Sequence, residues 1–149
     1  MKTPTITLFT DAGFDPPSKS GSWAAWAKFS GRKTLRRSGF FHKEIRDSGL
    51  AKYKALVNGL INVMRFFSPL PKTIILCHTD YEELIYQLNR LSAPTTNEPE
   101  RRLVLNYIHT LQQNTETIIS GRYINGTSGD VATAWCESEC KKQLAFAKE

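Results

Sequence analysis

Thr73-Ile74-Ile75-Leu76-Cys77-His78-Thr79-Asp80 is the stretch from which the rest of the chain can be read. Residues 73–77 form a compact apolar, β-branched run suited to a strand, and it leads straight into His78-Thr79-Asp80. The same arrangement stands near the start, where residues 5–10 are apolar and β-rich and end in Thr10-Asp11-Ala12. Each run therefore places an acid at the end of a strand. If a sheet lays the two strands side by side, Asp11 and Asp80 share one end of it. Carboxylates forced together repel, and a divalent cation is the usual relief. Taken singly, each acid could instead cap a turn or helix, and Asp80 before Tyr81-Glu82-Glu83 has the sequence of an N-cap.

A hairpin and a helix lie between the two copies. Gly13, Pro16, Pro17 and Gly21 mark a turn-rich loop, and residues 22–29 then set Trp23, Ala25, Ala27 and Phe29 on one face of a strand. Ser30-Gly31 turns, and residues 34–41 return as a second extended run. After Asp47-Ser48, a suitable helix cap, Ala51, Ala55, Val57, Leu60, Val63 and Met64 recur at helical spacing until Pro69 and Pro71 stop the helix. Beyond Asp80, Leu84, Ile85 and Leu88 predict a short helix, residues 92–99 a loop, residues 103–111 a further helix and residues 117–124 a β-branched strand. Asp130 caps a terminal helix with Trp135, Cys136, Cys140 and Leu144 on one side. The order βββαβααβα predicts an α/β fold in a single domain over residues 1–149: a five-stranded mixed sheet, its first three strands antiparallel, with helices on both faces.

Charge is concentrated in one part of the chain. With 20 Lys and Arg against 14 Asp and Glu over 149 residues, the net charge is +6. Residues 28–54 hold nine bases and two acids, +7, so the remainder sums to −1. Such a segment reads as a phosphate-facing surface, or as a solvated hairpin that maintains solubility. No apolar run approaches the length of a membrane span, so no membrane partner is expected. The three cysteines, Cys77, Cys136 and Cys140, form no CxxC pair, which fits reduced thiols and a cytoplasmic protein. Cys136 and Cys140 stand one helical turn apart and could collect a metal with Cys77, although free cysteine is more often core filler.

With these motifs in place, the sequence resembles the ribonuclease H family. The resemblance rests on Thr10-Asp11-Ala12, on the strand leading into Thr79-Asp80, on the spacing from Gly129 to Glu137, and on an element order that matches across nearly the whole chain. It implies a ribonuclease H-like fold and a site where two Asp, a Glu and a further acid hold two Mg²⁺ ions. Those ions activate a water and stabilise the leaving oxygen of an RNA strand paired to DNA. Carried over, Asp11 matches the first Asp, Asp80 the second and Glu137 the final acid, making these three the implied catalytic and metal-binding carboxylates. Two positions depart from the pattern. The family's Glu belongs to a motif of small residue, Glu, apolar, any, Ala, Leu, whereas Ala51-Lys52-Tyr53-Lys54-Ala55-Leu56 has Lys52 there. The change takes the site from −4 to −2, too little to balance two Mg²⁺. Lys52 is then expected as a fixed cation beside Asp11 and Glu137 in place of one metal, leaving at most one Mg²⁺ or Mn²⁺. Thr127 occupies the place of a His that the family often carries before the last helix, a loss expected to slow hydrolysis without abolishing it.

Other acids are poor substitutes for the missing Glu. Asp47 precedes Lys52 by five residues, about 140° round a helix, and Glu139 points away from Glu137. Asp15 and Asp130 remain as the realistic replacements. The resulting expectation is a protein that binds nucleic acid, as RNA/DNA hybrid or duplex, through Arg32, Lys33, Arg36, Arg37, Lys43 and Arg46, with weak or lost metal-dependent hydrolysis. An active Mg²⁺- or Mn²⁺-dependent ribonuclease H with an incomplete ligand set is the first alternative. An interaction module that kept only the fold is the second. Trp23, Trp26 and Trp135 could stack on bases or fill the core. Residues 92–99 contain no cluster of bases, so Arg101 and Arg102 are the only substitute for a basic substrate handle.

Overall fold

The computed structural model describes residues 3–125 and 130–148. Strands β1 (Thr5–Asp15), β2 (Ser20–Phe29) and β3 (Leu35–Phe40) are followed by helix α1 (Ser48–Phe67) and strand β4 (Ile74–Thr79). Helices α2 (Glu82–Leu88) and α3 (Pro99–Thr115), strand β5 (Ile118–Tyr123) and helix α4 (Val131–Ala147) complete the order. The sheet runs β3-β2-β1-β4-β5, with β1 antiparallel to β2, β2 antiparallel to β3, and β1, β4 and β5 mutually parallel. The expected mixed sheet is therefore formed, and β1 and β4 are neighbours.

Strand alternation sends successive residues to two covered faces. Ile6, Leu8, Ala25, Ala27 and Cys77 lie on one face with Leu56, Leu60 and Val63 of α1, Leu84 and Leu88 of α2, and Leu105 and Ile108 of α3. Gly59 lets α1 approach closely, since a Cβ there would sit 2.8 Å from Thr10 Cγ2. On the opposite face Ala24, Phe9 and Trp26 pack with Cys136, Cys140 and Trp135 of α4. Ser22 Oγ donates to the Cys140 carbonyl at 2.6 Å and Ser38 Oγ to Glu139 Oε1 at 2.9 Å, fixing α4 over the hairpin. Cys77 belongs to one face and Cys136 and Cys140 to the other, so the three thiols cannot share a metal. Burial pushes the thiol pKa of Cys136 up to about 12, with the Asp11 and Asp130 charges adding to the effect.

β2 is covered on both faces, as a sheet with helices on both sides requires, with Ala24 and Trp26 under α4. Two sequence expectations change. β1 continues beyond Asp11 to Asp15 because β2 pairs with it throughout, as far as Asp15 opposite Ser20. α3 starts at Pro99, not near residue 103, because the Glu98 side chain accepts from the Arg101 amide and Pro99 suits a first helical turn. Among the described residues no helix is long and apolar enough to cross a membrane.

Candidate functional site

Pairing between β1 and β4 ends at Phe9 opposite His78, while β1 runs on against β2 alone. The sheet splits there, and side chains from both layers meet in the gap. Asp11 enters from β1, Asp80 from the residue after β4, and Lys52 from the second turn of α1. Lys52 Nζ donates to Asp11 Oδ1 at 2.6 Å and to Asp80 Oδ1 at 2.8 Å. The two acidic oxygens are therefore no farther apart than those two bonds allow. Asp80 does not cap α2, whose N-cap is Tyr81 with no side-chain cap bond.

The ammonium sits in a partly dry place, its side chain 20% exposed. Burial opposes its charge, but the Asp11 and Asp80 carboxylates outweigh burial and hold its pKa above the ordinary lysine value. Lys52 thus stays protonated across the physiological range. Lys52 bridges Asp11 with Asp80, and Glu137 turns elsewhere. Glu137 Oε1 lies 3.4 Å from Lys141 Nζ on an exposed stretch of α4. Glu137 nevertheless lines the same cavity of about 280 Å³ as Asp11, Lys52 and Asp80, together with Phe9, His78 and Thr133. Phe9 and His78 stack with ring centroids 4.6 Å apart, and burial lowers the His78 pKa. Thr127 lies outside the described residues.

The other acids are committed elsewhere. Asp15 accepts from Ser18 and lies 3.4 Å from Lys148, Asp130 caps α4 through the Ala132 and Thr133 amides, and Glu139 holds Ser38. Asp47 caps α1 at the Leu50 amide. Among the described residues no three His, Cys, Asp or Glu side chains are grouped to hold a metal ion. The facing oxygens of Asp11 and Asp80 grip an ammonium, so this arrangement does not fit a pair of divalent ions.

The six basic residues do not form one surface. Arg46 is held by Glu98 at 2.6 Å and Glu100 at 2.5 Å. Arg36 and Arg37, adjacent on β3, point to opposite faces. Arg36 lies over Trp26 at 5.0 Å on the α4 side, while Arg37 lies over Phe66 at 5.8 Å at the end of α1. Arg32 donates to the Phe66 carbonyl and lies 5.5 Å over Phe67. Lys33, Arg36 and Lys43 make no ion pair among the described residues. Arg101 is no substrate handle. It is 16% exposed, donates to Asp47 at 2.8 Å and Glu83 at 2.6 Å, and lies over Tyr53 and Tyr81. Its partners stand 54 and 18 residues away, so no local pattern announces it. Gly49 makes room for this network, because a Cβ there would collide with the Arg101 guanidinium and the Tyr81 hydroxyl.

No family model matches the chain, and no curated protein matches it in sequence. Solved structures do match its shape. LC11-RNase H1, in a complex with an RNA/DNA hybrid, superimposes with a TM-score of 0.78 at 16% identity, covering 97% of this chain and 99% of that one. The N-terminal RNase H domain of a Mycobacterium tuberculosis protein gives 0.74 at 11% identity, over 98% and 97% of the two chains. RNase H1 from the halophilic archaeon Halobacterium salinarum gives 0.70 at 14% identity, over 96% and 99%. The chain has a ribonuclease H-like fold.

Proposed function

We propose that this protein binds nucleic acid, as RNA/DNA hybrid or duplex, on a ribonuclease H-like scaffold whose cleft is closed to metal-dependent hydrolysis by Lys52. One observation carries the reading: Lys52 Nζ bridges Asp11 and Asp80 at 2.6 and 2.8 Å, where a divalent ion would otherwise relieve their repulsion. A protonated amine neutralises charge but cannot lower the pKa of a bound water or polarise a phosphoryl oxygen as a metal does. The likeness in shape to an RNase H1 bound to a hybrid, and the net charge of +6, support nucleic acid as the partner. Asp11, Asp80 and Glu137 then serve as a fixed acidic cleft, and at most one Mg²⁺ or Mn²⁺ enters if Lys52 swings away.

Binding should weaken steeply with salt, because phosphate contacts release counterions. Fluorescence anisotropy on a blunt hybrid tests this together with the two faces of β3. Arg36→Glu, on the face shared with the cleft, should lower affinity about tenfold at low salt and flatten the salt slope. Arg37→Glu, on the other face, should change affinity by about twofold or less. Equal effects would mean that the hybrid does not lie on the α4 side, and absence of binding at low salt would refute the function.

A further inference from the structure

A second groove adjoins the cleft on the α4 side of the sheet. Its floor is Thr5, Thr7 and Phe9 of β1 with Trp26 and Lys28 of β2, and its volume is about 620 Å³. The β2–β3 turn walls it on one side and the start of α4, at Asp130 and Val131, on the other. α4 packs over β1, β2 and β3 but leaves this end of the sheet open: the facing residues Thr7 and Phe9 are only partly buried, whereas Ile6 and Leu8, facing α1, are fully buried. Phe9 lines both the groove and the Asp11–Lys52 cavity, so the two adjoin at its ring.

The chemistry of the lining selects the occupant. Lys28 is exposed and makes no ion pair among the described residues, and the hydroxyls of Thr7, Ser30 and Thr34 make no hydrogen bond there. Arg32 stands at the turn, and Arg36 lies beside the floor on the Trp26 ring. The acid among the lining residues, Asp130, accepts from the Ala132 and Thr133 amides. Free ammonium and hydroxyl donors, with the Arg36 guanidinium lying over the Trp26 ring beside them, suit the phosphates and sugar hydroxyls of a single strand. The volume falls in the range of small-ligand pockets, enough for one or two nucleotides and too small for a duplex segment.

We propose that this groove binds unpaired nucleic acid, the single-stranded extension of a strand whose paired part lies over the Asp11–Lys52 cavity. The proposal rests on the function proposed above for that cavity and adds a second, strand-specific contact. Lys28 supplies the phosphate contact, and Thr7, Ser30 and Thr34 donate to phosphate or sugar oxygens.

Anisotropy with three probes tests it: a blunt hybrid, the same hybrid with a short single-stranded tail, and the tail oligonucleotide alone. The tail should raise affinity about tenfold for the unaltered protein, from the added phosphate contacts. Lys28→Glu, at an exposed position, should remove that increment and leave blunt-hybrid affinity within about twofold. Circular dichroism and the thermal midpoint verify that the variant is folded. A tail that adds nothing, or a variant that weakens blunt and tailed probes equally, overturns the groove. If the tail oligonucleotide binds in a Lys28-dependent way but the blunt hybrid does not bind, the groove stands and the reading of the cavity fails.

Discussion

Lys52→Glu should create metal-stimulated cleavage of an RNA/DNA hybrid, or raise it by orders of magnitude. The substitution removes the ammonium that ties Asp11 to Asp80 and sets a fourth carboxylate in the gap beside Asp11, Asp80 and Glu137. Three carboxylates meeting at one split in the sheet, with Glu137 on the wall of the same cavity, cannot all stay ionised without a counterion, so the variant should bind divalent cations to relieve the repulsion. Metal in that position supplies what an ammonium lacks, an activated water and stabilisation of the leaving oxygen. The variant should also bind hybrid more weakly than the unaltered protein when metal is absent, since two units of negative charge are added beside the phosphate path. Its stability should fall without metal and recover with Mg²⁺ or Mn²⁺, which a thermal melt reads directly. A variant that binds metal yet cleaves no faster would locate the defect elsewhere in the cleft.

Arg101→Met should be the most destabilising of the surface-network substitutions, by about 2 kcal/mol, with a thermal midpoint lower by about 8 °C. Methionine keeps most of the packing against Tyr53 and Tyr81 but leaves Asp47 and Glu83 without their cation. The figure lies below that for a fully buried pair because the Asp47 side chain is 43% exposed. Burial tends to raise both acids, but hydrogen bonds outweigh it. Leu50 and Arg101 hold Asp47 below its ordinary 3.8, and Tyr81, Tyr53 and Arg101 hold Glu83 below its ordinary 4.5. Groups depressed in this way stabilise the fold above their unfolded values, and the contribution is lost as pH falls through the lower folded values. The unaltered protein should therefore lose stability progressively below about pH 4.5, and Arg101→Met should show a flatter acid limb. Parallel melts across that range decide it; an unchanged midpoint or an unchanged acid limb would show the network to be inert.

The order of elements could be read because each of the two Thr-Asp steps closes an apolar strand, and strand pattern is local information, whereas the neighbouring of β1 and β4 followed only from the resemblance to the ribonuclease H family. Lys52 could be read from the same resemblance: Ala51, Ala55 and Leu56 keep the helix in register with the family motif, so the lysine stands where a ligand would stand. Its choice of Asp80 over Glu137 could not, since that depends on how far α4 sits from the gap. The length of β1 was hidden because Asp11 and Gly13 break the apolar run, while the pairing that keeps them extended comes from β2. The basic segment looked like a single patch in one dimension. Alternation along β3 divides Arg36 from Arg37, and Arg46 is neutralised by acids more than 50 residues away. The role of Arg101 was invisible for the same reason, its carboxylate partners lying on α2 and before α1.

Cleavage of an RNA/DNA hybrid by the unaltered protein, followed across Mg²⁺ and Mn²⁺ concentrations alongside calorimetric metal titration and hybrid binding, tests the role of Lys52 most directly. The predicted result is salt-sensitive hybrid binding, no two-ion metal isotherm, and cleavage that stays at or near background as metal is raised. Robust binding of two ions with rapid cleavage while Lys52 is in place would contradict it, and would make this protein an active metal-dependent nuclease.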